Sequence, residues 1–240
     1  MSKLNNLYRT LRPGQPVTSR DLLSLGVSAD LAAHYARAGW LDRLGRGVYA
    51  RPDTPLELHA SLRLLERQVR GLHVGGQTAL DWHGVRHNVV VRPELRLYGW
   101  DNAILPRWFA TTFPSRYQRL RLFDEPPDKP RRVSPLRRQS DTPLVSDPER
   151  ALLELLSEVG VGLPLDEARS LVEAATSLRA AVLQELLSHC KQVKTVRLCL
   201  TLGRDLGLRW ASKLDPTHLP AGSATRWVGR TKEGLLVLGR

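Results

Sequence analysis

An α+β fold is what the sequence predicts: an N-terminal winged helix-turn-helix, then a larger, mixed but mainly helical C-terminal domain with a small sheet. Three observations predict it. The first fifty residues pattern as three short helices and a glycine-turned hairpin, residues 72–123 mix strand-like runs with a short helix, and helical periodicity runs from 146 to 214. A chain of 240 residues has room for two cores. The boundary is expected at a proline-containing link, giving a head over 1–52 and a body over 53–240.

In the head, residues 3–11 read as a helix because Leu4, Leu7, Tyr8 and Leu11 share one face, and Pro13-Gly14 stops it. Thr18 or Ser19 caps a second helix that runs through Leu25. Gly26-Val27-Ser28 breaks the chain, and Ser28 caps a third helix over 29–38, which Gly39 ends. Two helices joined by so tight a turn make a helix-turn-helix. Residues 40–43 and 48–51 then read as strands around Leu44-Gly45-Arg46-Gly47, a wing with arginines along it.

In the body, helices are expected over 56–69 and 78–82, and strands over 88–91, 94–98 and 117–122. Residues 124–143, rich in proline and arginine, are expected as a surface loop or edge strand carrying Lys129, Arg131, Arg132, Arg137 and Arg138. Ser146-Asp147-Pro148-Glu149 has the pattern of a capping box, with Ser at the cap, Pro first and Glu third. Further helices are expected over 166–175, 178–189, 194–206 and 208–214, and a terminal hairpin from 226–229 and 235–238.

Lys and Arg number 36 against 24 Asp and Glu, a formal net charge of +12, which suits a polyanionic partner. An arginine-rich soluble surface has the same sum, so placement decides. Residues 1–52 carry eight basic side chains against Asp21, Asp30 and Asp42. Cys190 and Cys199 sit in apolar helical surroundings and form neither a disulfide framework nor a metal pair. His83 and His87 have a suggestive spacing, but Gly84 lies between them and no acidic or Cys ligand set accompanies them, so neither metal nor cofactor is expected. No phosphate-binding loop, dinucleotide fingerprint, His-Glu-x-x-His, Gly-x-Ser-x-Gly or nuclease-type Glu-x-Lys triplet occurs, and the chain is not expected to be an enzyme. Without an apolar leader or a long apolar run, a cytoplasmic protein with no membrane partner is expected.

On the third helix Val27, Leu31, Tyr35 and Ala38 face inward, which leaves Asp30, Ala33, His34 and Arg37 outside. The second helix of a helix-turn-helix enters the major groove of duplex DNA. The candidate DNA contacts are therefore Ser19, Arg20, Ser28, His34 and Arg37, with Arg43, Arg46 and Arg51 from the wing. Arg37 suits bidentate readout of guanine, and Arg46 suits the minor groove or a phosphate. Asp30 on the same face must meet a cytosine amino group, cap locally or point aside. The alternative is a winged-helix protein-interaction adaptor that binds no DNA. A second basic stripe, Lys194, Arg197, Thr201 and Arg204, lies opposite Leu198, Cys199, Leu202 and Leu206 and reads either as a solvated face or as a docking surface.

Several segments resemble the AbiEi-type antitoxins of abortive-infection, type IV toxin-antitoxin systems. They are residues 37–49 in the wing, His73-Val74-Gly75-Gly76-Gln77-Thr78-Ala79-Leu80, Leu105-Pro106-Arg107-Trp108-Phe109, residues 145–154 around Ser146-Asp147-Pro148-Glu149-Arg150-Ala151, and Lys194-Thr195-Val196-Arg197-Leu198. The resemblance implies a repressor whose winged helix binds inverted repeats in its own promoter. It also implies a C-terminal domain that counters a nucleotidyltransferase-like toxin, and gives the stripe at 194–204 weight as a neutralisation surface.

Overall fold

The computed structural model describes residues 3–85, 94–126, 128–222, 227–231 and 234–238. In the head, α1 (Lys3–Thr10) precedes α2 (Ser19–Ser24) and α3 (Ala29–Arg37). Thr18 starts α2 with a complete capping box: its hydroxyl accepts from the Asp21 N–H, and the Asp21 carboxylate accepts from the Thr18 N–H at 2.8 Å. Ser28 caps α3 by accepting from the Leu31 N–H at 3.2 Å. The turn between them passes through Gly26 at φ +79°, a conformation a side chain would resist. The hairpin is β2 (Asp42–Gly45) and β3 (Val48–Ala50), and β1 (Val17–Thr18) adds to it in the order β1-β3-β2. Leu7, Leu11, Leu22, Val27, Tyr35 and Leu41 close a core of their own.

The body begins with α4 (Leu58–Glu66), shorter at both ends than the periodicity predicts. β4 (His73–Val74), α5 (Gly76–Trp82), β5 (Leu95–Gly99), α6 (Arg107–Thr112), β6 (Ser115–Arg119), β7 (Val133–Pro135) and β8 (Leu144–Ser146) follow. The five strands form one sheet in the order β6-β5-β4-β8-β7, with β5/β6 and β4/β8 parallel and the other pairs antiparallel. The expected loop or edge strand over 124–143 does supply an edge strand, β7. The run expected over 88–91 lies outside the described residues. α7 (Pro148–Ser157), α8 (Leu165–Ala174), α9 (Ala180–Ser188) and α10 (Val193–Asp205) complete the helical part, and β9 (Trp227–Thr231) pairs with β10 (Gly234–Leu238) as the expected hairpin.

Two sequence expectations are corrected here. The cap of α7 is Asp147, not Ser146, and it makes no side-chain capping bond. Ser146 donates instead to Glu154 at 2.8 Å, and Glu149 accepts two bonds from the Arg179 side chain and one from its N–H. Tertiary partners have taken both halves of the box. The helix expected over 208–214 is only a 3₁₀ turn, Ala211–Lys213. Gly207 at φ +63° ends α10, and Trp210 turns into the core, where its indole N–H donates to the Ala175 carbonyl at 2.8 Å.

Every residue of α7 from Glu149 to Ser157 is buried, charged ones included. A helix enclosed this way must satisfy its charges internally. Glu154 accepts from His73 Nε2 at 2.9 Å, Arg150 Nε at 2.7 Å, the Ser146 hydroxyl at 2.8 Å and the Gly76 N–H at 3.2 Å. Arg150 also reaches Glu125 at 2.9 Å and lies over the Phe123 ring. Tyr98 donates to Glu158 at 2.5 Å. A Cβ on Gly75 would stand 2.2 Å from the Glu154 carboxylate, which explains the glycine there.

Burial pushes the Glu154 carboxyl up, but His73, Arg150 and their hydrogen bonds more than offset it and hold the group at about 2. Burial dominates at Glu66, which rises to about 7 although the Leu144 N–H and Arg63 favour its charged form. A depressed carboxyl stabilises the fold above its ordinary value of 4.5 and loses that contribution as pH falls toward 2. A raised one stabilises it below 4.5 and loses that contribution as pH rises through about 7. In urea unfolding followed against pH, Glu66→Gln should remove the decline on the neutral side and keep the acid one. Glu154→Gln should make the acid decline shallower and cost about 3–5 kcal/mol, the usual loss when one partner of a buried ion pair is removed.

Candidate nucleic-acid interface

The head places its candidates in three groups. On α3, His34 and Arg37 are exposed beside Asp30, while Ala32 and Tyr35 are buried behind them. Asp30 sits in the first turn, where the positive end of the helix dipole favours a carboxylate. Ser28 is exposed, and its hydroxyl is engaged in capping.

The second group is the start of α2 and the hairpin tip. The Ser19 N–H donates to the Gly47 carbonyl at 2.8 Å, so the tip that carries Arg46 is anchored beside the helix that carries Arg20. Arg20, Arg43 and Arg46 are all exposed. Gly47 at φ +69° lets the two-residue turn close.

The third group was not legible in the sequence. Tyr8 on α1 donates its hydroxyl to the Trp40 carbonyl at 2.6 Å, and the Arg51 guanidinium lies 4.8 Å above its ring. One tyrosine thus holds the entry and the exit of the hairpin. Arg51 is half-buried in this role. Trp40 itself remains exposed, 5.5 Å from the Tyr35 ring.

The body supports this surface at two places. Trp108 of α6 stands 3.5 Å from where a Cβ on Gly45 would lie, and Leu44 packs on the body core. Arg67, just past α4, grips Asp21 with both terminal nitrogens, at 2.7 and 3.3 Å. Burial works against the Asp21 charge, yet Arg67 and the Thr18 bonds hold its carboxyl below the usual range.

The stripe at 194–204 is not one open face. Arg197 is buried, with Nε donating to the Ala221 carbonyl at 2.7 Å. Lys194 is half-buried and donates to the Ser157 and Val159 carbonyls at 2.8 and 2.9 Å, where it satisfies the end of α7. Thr201 is half-buried, and Arg204 alone of the four is exposed. Helical spacing fixed their common side; it gave no sign that residues 157–159 and 221 cover it.

The histidines likewise have internal work. His73 is buried against Glu154, and His83 Nε2 lies 3.0 Å from the Ser146 carbonyl, while His87 lies outside the described residues. Burial raises both thiols, Cys190 to about 11, as befits core residues. Among the described residues no helix is long and apolar enough to cross a membrane.

A mixed α/β body that carries a head compatible with a winged helix, its exposed face arginine-rich, is the build of a transcriptional regulator. Two family models match, one described as the transcriptional regulator, AbiEi antitoxin N-terminal domain, over residues 1–91, the other as the transcriptional regulator, AbiEi antitoxin of type IV toxin-antitoxin systems, over 92–238. The chain belongs to the AbiEi antitoxin family. Its fold is also similar to the crystal structure of the RV2827C protein from Mycobacterium tuberculosis. The two share 18% identity and a TM-score of 0.57, over 94% of this chain and 87% of that one. No curated protein matches.

Asp21 completes the capping box that Thr18 opens on α2 and anchors the head to α4 at once. Asp21→Ala should therefore cost about 1 kcal/mol, within the range for a lost helix cap, read as a lower urea midpoint at unchanged slope.

Proposed function

We propose that this protein is a sequence-specific repressor and antitoxin that binds inverted repeats in its own promoter through residues 1–52. The observation that carries the reading is the exposed His34 and Arg37 face of α3, in a head whose hairpin tip, bearing Arg46, is anchored at the start of α2 by the Ser19–Gly47 bond. Docked as a helix-turn-helix, α3 enters the major groove. Arg37 reads a guanine edge, and the side chains of Ser19 and Arg20 at the start of α2 hold a phosphate. Ser28 and His34 border the same groove. Arg43 and Arg46 hold the adjoining backbone or minor groove. Arg51 acts indirectly, through its place on Tyr8.

The body, residues 53–240, counters a nucleotidyltransferase-like toxin without a cofactor and without catalysis of its own. Of the stripe at 194–204, Arg204 and Thr201 are the members left to meet a partner. Family membership supports the regulatory and antitoxin roles; the operator, the toxin and the DNA contacts are this reading's own content.

The test is a gel-shift titration against DNA upstream of the protein's own gene, with wild type and an Arg37→Ala/Arg46→Ala double variant, at two salt concentrations. Specific binding should weaken by roughly 10³ to 10⁵ fold from about 50 to 200 mM salt if about six to ten phosphates are covered. The double variant should lose it. A wild type that binds no duplex overturns the reading and favours a protein-interaction adaptor. In that case the exposed Leu23 and Trp40 become the surface to test.

A further inference from the structure

Between the head and α4 lies a cavity of about 580 Å³. Arg12 comes to it from the head, Arg63 and Arg67 from α4 and its end, and Thr142 from the loop before β8. A smaller recess shares Leu64 and Arg67 and ends on Thr18 and Arg20. The two form one trough along the outer side of α4, leading to the first turn of α2.

The loop that supplies Asp141 and Thr142 to this trough also carries two arginines. Arg137 and Arg138 are both exposed, with φ of +52° and +58°. Two successive arginines in the left-handed region are unusual, because the Cβ crowds the backbone there. The surrounding bonds hold them in it: the Thr142 hydroxyl bridges to the Leu136 and Gln139 carbonyls at 2.7 Å each, and Arg63 donates to the Ser140 carbonyl. The loop is thus tied to α4, with its charge directed to solvent.

The charge balance favours an anion of extended shape. Glu57 and Asp141 also line the cavity, but Asp21 is engaged by Arg67, Arg12 and Arg20 stand exposed on the trough, and Arg137 and Arg138 stand exposed on the loop that borders it. Pro16, Ala60 and Leu64 are the only apolar lining residues of the larger cavity, too few for the apolar centre that a protein partner needs. Arginines spread over three elements suit repeated phosphates.

We propose that this trough is a second phosphate track, which takes the sugar–phosphate backbone of the duplex beyond the half-site read by α3. It rests on the head's binding DNA, and it makes the body a contributor to affinity without base readout.

The experiment uses the full chain, two duplexes and one variant. The short duplex covers only the half-site that a footprint defines; the longer one adds about one helical turn, ten base pairs, on each side. The variant is Arg12→Gln/Arg137→Gln/Arg138→Gln. Wild type should bind the longer duplex at least about tenfold more tightly at moderate salt, since each added phosphate contact also adds about 0.9 to the salt slope. The variant should lose that gain and about two to three units of slope while it binds the short duplex as wild type does, which shows its head to be folded. Wild type that gains nothing from the added turns, or a variant that keeps the gain, overturns the track and leaves the head reading standing. Wild type that binds neither duplex overturns the head reading, and the track with it.

Discussion

Glu154 sets the terms for the body. Its carboxylate is fully buried at the centre of a helix that has no solvent side, and a charge so placed is tolerable only if several donors converge on it. The donors come from β4, from the start of α5, from the end of β8 and from one turn back along α7 itself. Four elements therefore have one relative position in which the charge is satisfied. Apolar contacts around Leu152, Leu153, Leu155 and Leu156 tolerate small shifts; a four-donor carboxylate tolerates few.

This hub accounts for two of the five segments that resemble the family, and two more pack beside it or against the hairpin. His73, Gly75 and Gly76 belong to one segment, and Ser146, Arg150 and Glu154 to another; they meet around one carboxylate. Lys194 and Arg197, from a third, close the end of α7 and hold residue 221. Trp108, from a fourth, bears on the hairpin. The segments in the body are marks of how the chain packs.

The head was largely legible because its signals are local. Thr18 and Ser28 are caps that act on N–H groups three residues on, and the glycines stand where positive φ is needed, so the sequence carries the whole cause. The body was legible in kind but not in detail. Two-residue β1 and β4 and three-residue β8 are too short for alternation to declare them. Ser146 and Glu149 fit a local rule and were drawn off by Glu154 and Arg179, residues that no short window contains. The candidate site divides the same way: the exposed face of α3 follows from helical spacing, whereas Tyr8, Trp108 and the Asp21–Arg67 pair depend on distant segments coming together.

One asymmetry in the head has a wider consequence. The side chains of Asp30, His34 and Arg37 project from α3 with no hydrogen bond or ion pair to the described residues, while Ser28 caps the helix and Ala32 and Tyr35 bury its other face. The outward positions are thus free to be exchanged almost without penalty to folding. On the proposed reading, a lineage built on this frame can exchange one operator for another by a few surface replacements while the packed hub stays as it is.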